Sequence, residues 1–223
     1  MKPAVPRSEL ELLTRAEALA GHTLGEVAEA LGVRISDDSV RTKGKWGELL
    51  ERALGATGGS SARRDFAHLG VELKTIPVCA AGAPLESTYV CRLDVNEAER
   101  LEWESSWVRA KLGRVLFVPL LAEAKAWRDR QVGRPVVWSP SEEQEAVLRH
   151  DFDDLIGLLG AGRVEELTAH RGRWLQVRPK ARDGTRSALV YDPDGEAIST
   201  VPRGFYLRTR LTGALLRDVS AVP

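Results

Sequence analysis

Asp65-Phe66-Ala67-His68-Leu69-Gly70-Val71-Glu72-Leu73-Lys74 is the stretch on which the reading of this chain turns. Its second half alternates: in Val71-Glu72-Leu73-Lys74 successive side chains take opposite faces of a strand, so Glu72 and Lys74 project together while Val71 and Leu73 point the other way. Fully extended, the chain from Asp65 to Glu72 would span roughly 23 Å at about 3.3 Å per residue, too far for the two carboxylates to share an ion. A bend is therefore required, and His68-Leu69-Gly70 offers the place for it. With the bend made, a carboxylate from each arm can meet one hard cation, which prefers oxygen ligands, and an ammonium lies alongside. That set suits phosphodiester hydrolysis, in which a divalent ion polarises the phosphate and lowers the pKa of a water while the ammonium stabilises or helps activate the attacking species. The spacing D-x6-E-x-K is short and degenerate, however, and taken alone it is more often a wet surface strand carrying an E-x-K pair.

Upstream, the first 55 residues read as helices with marked ends. Ser8 with Glu11 and Thr23 with Glu26 are each an S/T-x-x-E capping box, and Gly21 and Gly32 stop the helices that follow. Leu24, Val27, Ala28 and Leu31 give the second helix a buried face. The same register returns at Trp46, Leu49, Leu50, Ala53 and Leu54 in a third helix ending at Gly55, with Glu51 lying off the apolar stripe by about 130°. Downstream, strands are expected at Tyr89–Leu93, Val115–Val118, Val136–Trp138, Trp174–Arg178 and Gly204–Arg208. Helices are expected over Ser105–Leu112 and from Ser139 to about Leu159, the latter with Ser139 as N-cap, Pro140 at N1 and Glu142 at N3. The fold class is α/β, a mixed β-sheet flanked by helices.

Composition removes several functions. With 43% hydrophobic and 29% charged residues the chain is an ordinary globular protein rather than a disordered or fibrous one. No apolar run approaches the ~18 residues of a membrane span, and the N-terminus carries charges through its apolar positions, so no membrane association and a cytoplasmic location are expected. Cys79 and Cys91 have neither CxxC spacing nor paired histidines near them and read as two buried thiols. There is no GxxxxGK[ST] loop, no GxGxxG after a strand and no HExxH, and His22, His68, His150 and His170 are scattered. Formal charge is zero but unevenly spread: Glu142–Asp154 holds six acids against one base, Arg163–Arg217 eleven bases against six acids. The second segment could present a cationic face to nucleic acid, while the first should turn away from phosphate.

Several ordered segments then converge. Leu49-Leu50-Glu51, Leu54-Gly55-Ala56, Asp65 through Pro77, Leu85-Glu86-Ser87-Thr88-Tyr89-Val90-Cys91, Trp103-Glu104, Val108-Arg109, Leu175-Gln176-Val177-Arg178-Pro179-Lys180 and Pro202-Arg203-Gly204-Phe205-Tyr206-Leu207 strongly resemble the MutH family of DNA mismatch-repair endonucleases. The resemblance runs nearly the full chain, in order and at similar spacing. It implies a restriction-endonuclease-like fold with two lobes around a DNA cleft, acting as a single endonuclease domain over residues 1–223. The implied activity is Mg²⁺-dependent nicking of the unmethylated strand at hemimethylated GATC sites in double-stranded DNA, by a monomer that MutL activates and MutS influences indirectly.

Carried over by motif, Asp65 and Glu72 would bind Mg²⁺ with help from the Leu73 carbonyl, Lys74 would assist the attacking water, and Glu51 would support the metal site. Arg178, Pro179, Lys180 and Tyr206 would recognise GATC, Tyr206 sensing the adenine methyl group, with Lys43 and Tyr89 also at the DNA. Lys43, Lys180, Arg203 and Arg208 are expected to serve phosphates, which position a protein without reading sequence. The chain departs from the family in Lys43-Gly44-Lys45-Trp46-Gly47, where the tryptophan of the usual K-G-W-x-G is displaced by one, and in Tyr89, which replaces Phe and keeps the ring. Trp103, Trp107, Trp127 and Trp138 are expected to be packing residues. Two other readings compete: a GATC-specific restriction-type endonuclease that cuts both strands, and a non-catalytic DNA-binding module. Retention of Asp65, Glu72 and Lys74 weighs against the latter.

Overall fold

A computed structural model describes residues 3–34, 44–58, 63–94, 100–168, 170–180, 188–191 and 196–218, and the chain separates into two compact units. One takes in the chain up to Glu86, Gly113–Ser139 and the end of the last helix from Gly213; the other takes in Ser87–Leu112 and Pro140–Thr212. Elements are numbered along the chain.

The first unit opens with α1 (Glu9–Leu19), α2 (Leu24–Ala30) and α3 (Lys45–Leu54). At α2 the capping box is complete: Thr23 Oγ1 accepts the Glu26 N–H at 3.2 Å and the Glu26 carboxylate accepts the Thr23 N–H at 2.7 Å. At α1 only half the box forms, because the Glu11 carboxylate reaches past Ser8 to the Arg7 N–H and also pairs with Arg15. Helix α3 ends at Gly55 in the left-handed conformation, φ 82°, where a Cβ would come within 2.6 Å of the Ala4 carbonyl oxygen.

Its sheet holds β1 (Glu72–Val78), β3 (Val115–Leu121), β4 (Gln131–Val132) and β5 (Val136–Trp138), whereas β2 (Thr88–Leu93) belongs to the other unit. Parallel pairing sets Glu72 opposite Val115 and Val78 opposite Leu121, while β5 and β4 lie antiparallel along the far edge of β3. Central β3 is apolar on both faces, as a strand covered on both sides must be. Leu116, Val118 and Leu120 join Leu49, Leu50, Leu54, Phe66 and Leu73 in one core that also buries the stripe Leu24, Val27, Ala28 and Leu31 of α2. On the other face Phe117 packs beside Trp138, with ring centroids 6.0 Å apart.

The second unit contains β2, α4 (Trp107–Leu112), α5 (Glu142–Gly160), β6 (Leu175–Pro179), the hairpin pair β7 (Ala188–Tyr191) and β8 (Ala197–Thr200), β9 (Arg203–Leu207) and the start of α6 (Thr209–Arg217). Strands run β2-β9-β6, antiparallel throughout. Leu175, Val177, Phe205 and Leu207 fill one face, where Phe205 stacks on Phe152 of α5 at 5.5 Å and Trp103 meets Phe152 edge-on. Both units are thus mixtures of sheet and flanking helix, the α/β class expected. Among the described residues no helix is long and apolar enough to cross a membrane.

Some local expectations are corrected. The N-cap of α5 is Ser141, not Ser139, because Ser141 and Gln144 close a reciprocal box. Ser139 instead donates to the Gly113 carbonyl at 2.7 Å and accepts from Arg114. The helix expected over Ser105–Leu112 is broken by Ser106, whose hydroxyl donates to Trp103 O and accepts the Arg109 N–H, leaving a 3-10 turn at Trp103–Ser105 before α4. Trp107 is 51% exposed and no packing residue, unlike Trp103, Trp127 and Trp138. Cys91 is buried, but Cys79 is only partly so. The β7–β8 pair has no counterpart in the sequence reading.

Candidate active site and nucleic-acid interface

The bend demanded by the Asp65–Glu72 spacing is present. Phe66 and Val71 form an isolated antiparallel bridge, and the chain between them turns with Leu69 N–H and Gly70 N–H bonded to the Phe66 and Ala67 carbonyls. Gly70 takes φ 71° to close it. The Asp65 carboxylate consequently folds back onto β1, where Oδ2 accepts the Leu73 N–H at 2.8 Å. Its backbone carbonyl accepts the Thr57 and Gly58 N–H groups, an approach so close that a Cβ on Gly58 would lie 2.6 Å from Arg64 O.

On β1, Glu72 and Lys74 share a face as alternation requires, with Glu72 Oε1 2.7 Å from Lys74 Nζ. Glu72 is 1% exposed, and its second oxygen, Oε2, is buried and accepts no hydrogen bond. Glu51 projects from α3 toward this group. Its carboxyl is pushed up to about 7, first by burial, then by the charges of Asp65 and Glu48, with Glu72 adding and Lys74 opposing. Gly47 of α3 faces the same group: a Cβ there would make only ordinary contacts, 3.8 Å from Thr75 Oγ1 and 4.0 Å from Glu51 Oε1.

Three carboxyl groups, one of them with a buried oxygen that accepts no hydrogen bond, therefore occupy one neighbourhood beside the Lys74 ammonium. The donor set is all oxygen, the chemistry of a hard divalent cation. Among the described residues no three His, Cys, Asp or Glu side chains converge closely enough to cage an ion by themselves.

In the second unit, the face of the β2-β9-β6 sheet opposite Phe205 gathers the other expected residues. Tyr89 and Tyr206 lie opposite each other in register, with ring centroids 5.3 Å apart and planes at 66°. The Arg178 guanidinium stands 6.0 Å from the Tyr206 centroid, and Lys180 Nζ lies 4.5 Å from the Tyr89 centroid and 3.0 Å from its hydroxyl. Arg178, Pro179 and Lys180 are exposed at the end of β6. Cations and aromatic rings thus alternate across one surface. Gly204 makes room for it, since a Cβ there would meet Tyr89 Cε2 at 2.8 Å.

One expected phosphate contact is corrected, and a second side chain is partly engaged within the protein. Arg203 is 8% exposed, donates to the Leu167 carbonyl and has its pKa lowered by burial, because it shares the inward face of β9 with Phe205 and Leu207. Period-two alternation contained that signal. Half-buried Arg208 is engaged by the His170 and Gly172 carbonyls at 3.1 and 2.6 Å. Lys43 lies outside the described residues.

A family model described as DNA mismatch repair enzyme MutH matches residues 54–151. The chain is 47% identical over 217 residues to the DNA mismatch repair protein MutH of Yersinia enterocolitica, covering 97% of this chain and 95% of that one. It is 45% identical over 218 residues to the protein of the same name from Vibrio cholerae, covering 97% and 98%, and 44% identical over 214 residues to that of Haemophilus ducreyi, covering 96% and 95%. The chain belongs to the MutH family. For this MutH-family chain the matched span 54–151 includes Asp65, Glu72, Lys74 and Tyr89, and the similarity to the relatives extends over almost the whole chain.

Sequence reasoning missed three residues that shape these surfaces. Ser87 accepts hydrogen bonds from both Gln176 and Arg178. Gly204 clears space for the tyrosine rings. Asp151, 3% exposed within the acidic segment, accepts the N–H groups of Arg173, Trp174 and Leu175 at 2.6, 2.6 and 2.9 Å and so fixes the start of β6. Only the last had a local signal, an acid on the buried side of an amphipathic helix.

Proposed function

We propose that this protein is a Mg²⁺-dependent DNA endonuclease of mismatch repair that nicks the unmethylated strand of hemimethylated GATC sites. The observation that carries the reading is the locked trio on β1: Glu72 and Lys74 paired at 2.7 Å, and Asp65 held to the residue between them at 2.8 Å. Asp65 and Glu72, with the Leu73 carbonyl, would hold the ion, and Glu51 would add negative charge beside it. When bound, the cation supplies Lewis-acid polarisation of the scissile phosphate and lowers the pKa of a water. Lys74, paired with Glu72, orients the attacking water and stabilises charge developing on the phosphate. The turn at His68–Gly70 holds the two arms at fixed separation, so no reorganisation is needed on reaction.

On the second unit, Arg178 reads a base edge in the major groove, and Pro179 stiffens the chain after it. Tyr206 packs against the adenine edge, where an added methyl changes shape, and Tyr89 supports its ring. Lys180, and Lys43 from its own segment, serve phosphates. The similarity to MutH proteins over nearly the whole chain supports residues 1–223 acting as one monomeric endonuclease in the cytoplasm, with MutL as its activator and MutS acting indirectly.

The test is incubation with Mg²⁺ and plasmid that is unmethylated, hemimethylated or fully methylated, followed by mapping of the break. Nicks in the unmethylated strand at GATC are expected, with full methylation protecting. Linear product would favour the restriction-type reading, and turnover in excess chelator would sink the metal assignment.

A further inference from the structure

Ser87 stands immediately before β2, and its hydroxyl receives two donors: the Gln176 amide, Nε2 to Oγ 2.7 Å, and the Arg178 guanidinium, Nη1 to Oγ 3.3 Å. Gln176 and Arg178 are two residues apart on β6 and share a face, and Gln176 lies in register opposite Tyr206. Gln176 is 3% exposed, so packing fixes its amide, whereas Arg178 is exposed at the end of its strand. A serine hydroxyl has two lone pairs and one hydrogen. Here both lone pairs face N–H donors, so Oγ joins a buried, immobile amide to an exposed guanidinium.

That link matters because an exposed arginine side chain carries about 2 kcal/mol of rotamer entropy, and base reading needs its planar fork aimed in one direction. The Tyr206 ring bounds the guanidinium at 6.0 Å but supplies no directional acceptor in its face. Ser87 supplies one.

We infer that Ser87 is a positioning residue for sequence recognition: it passes the fixed orientation of buried Gln176 to the Arg178 guanidinium and so sets the angle at which that fork meets a base pair. This rests on the reading of Arg178 as a base contact. The acceptor oxygen does the work, not the volume of the side chain, so threonine can replace it and valine, of threonine's shape, cannot.

The full chain and its Ser87→Thr, Ser87→Val, Ser87→Ala and Arg178→Ala variants are titrated in chelator with a GATC duplex and with duplexes in which one pair of the site is replaced. Discrimination is read as the ratio of Kd values. Ser87→Thr is expected to keep the wild-type ratio and melting temperature, and Ser87→Val to lower the ratio roughly tenfold and to lower the melting temperature as well, because the buried Gln176 amide loses its acceptor. The slope of log Kd against log salt is expected to stay the same, since no phosphate contact is removed. Ser87→Ala gives the same readout by removing volume, should the valine methyl disturb the start of β2. If Arg178→Ala lowers the ratio while Ser87→Val and Ser87→Ala leave it intact, the positioning role is overturned and the reading of Arg178 stands. If Arg178→Ala also leaves it intact, or the wild type shows no preference, both are overturned.

Discussion

The Asp65 carboxylate accepts the backbone N–H of Leu73 at 2.8 Å, so it is fastened to the strand between Glu72 and Lys74 rather than left to swing on its turn. Structural and chemical roles of this side chain can therefore be separated. Asp65→Asn keeps an acceptor for Leu73 N–H but loses the negative charge. It should fold with nearly wild-type stability and fail to nick. Asp65→Ala should fail to nick and also lose about 1–3 kcal/mol, the cost of leaving a buried N–H unmet. Urea denaturation beside a nicking assay distinguishes the two.

Glu72→Ala and Lys74→Ala should likewise abolish nicking while leaving affinity for a GATC duplex largely intact, because these groups serve the reaction more than the contact surface. Their effects on stability should differ. Lys74→Ala takes from Glu72, 1% exposed, the ammonium that pairs with it at 2.7 Å, and should lower stability measurably in urea denaturation. Glu72→Ala removes a like charge from beside Asp65 and Glu51 and should cost less.

Crowding of carboxylates sets a pH dependence. The Glu51 carboxyl is raised from its ordinary 4.5 to about 7, so the folded protein binds this proton more tightly than the unfolded chain. The resulting stability is fully present below pH 4.5 and is lost as pH rises through about 7. In chelator, wild type should lose stability relative to Glu51→Gln between pH 4.5 and pH 8, by less than the full shift would give because the carboxyl is partly exposed to solvent. Millimolar Mg²⁺ should reduce the loss, since the ion favours the ionised form. Parallel pH profiles for wild type and Glu51→Gln in chelator would refute this.

Arg178 and Lys180 should fail differently. Arg178→Ala should cost ~1–3 kcal/mol on the cognate site and relax sequence preference. Lys180→Ala should weaken binding to all duplexes alike and reduce the salt slope by about one. Titrations at several salt concentrations on cognate and altered sites separate them.

The proposed role of Tyr206 in sensing the adenine methyl group is testable. Tyr206→Ser should narrow the difference in nicking rate between hemimethylated and fully methylated sites while some cutting of the cognate site survives. Gly204→Ala, which would push a methyl to 2.8 Å from Tyr89 Cε2, should displace the rings and weaken discrimination as well. Unchanged discrimination in Tyr206→Ser, measured on defined duplexes, would move the sensor elsewhere.

Much of this was legible in the sequence for identifiable reasons. The Asp65 turn follows from arithmetic, since two carboxylates seven positions apart cannot meet without one, and Gly70 marks where it closes. Alternation placed Glu72 with Lys74. It also held the fact that Arg203 points inward with Phe205, which the count of positive charge obscured. The N-cap of α5 slipped by two because Ser139 and Ser141 both precede acids, and only packing draws Ser139 to Gly113. Ser87 and Gly204 were invisible because nothing near either in the chain records what they touch.

The chemical trio is closed by a contact eight residues long, whereas Ser87 meets Arg178, and Tyr89 meets Lys180, across 91 positions. Closing the longer loop costs about 2 kcal/mol more chain entropy, from the logarithmic dependence on loop length. Local contacts survive partial opening better than distant ones. Partial opening of the chain is therefore expected to release the Ser87–Arg178 and Tyr89–Lys180 contacts before the one between Asp65 and Leu73.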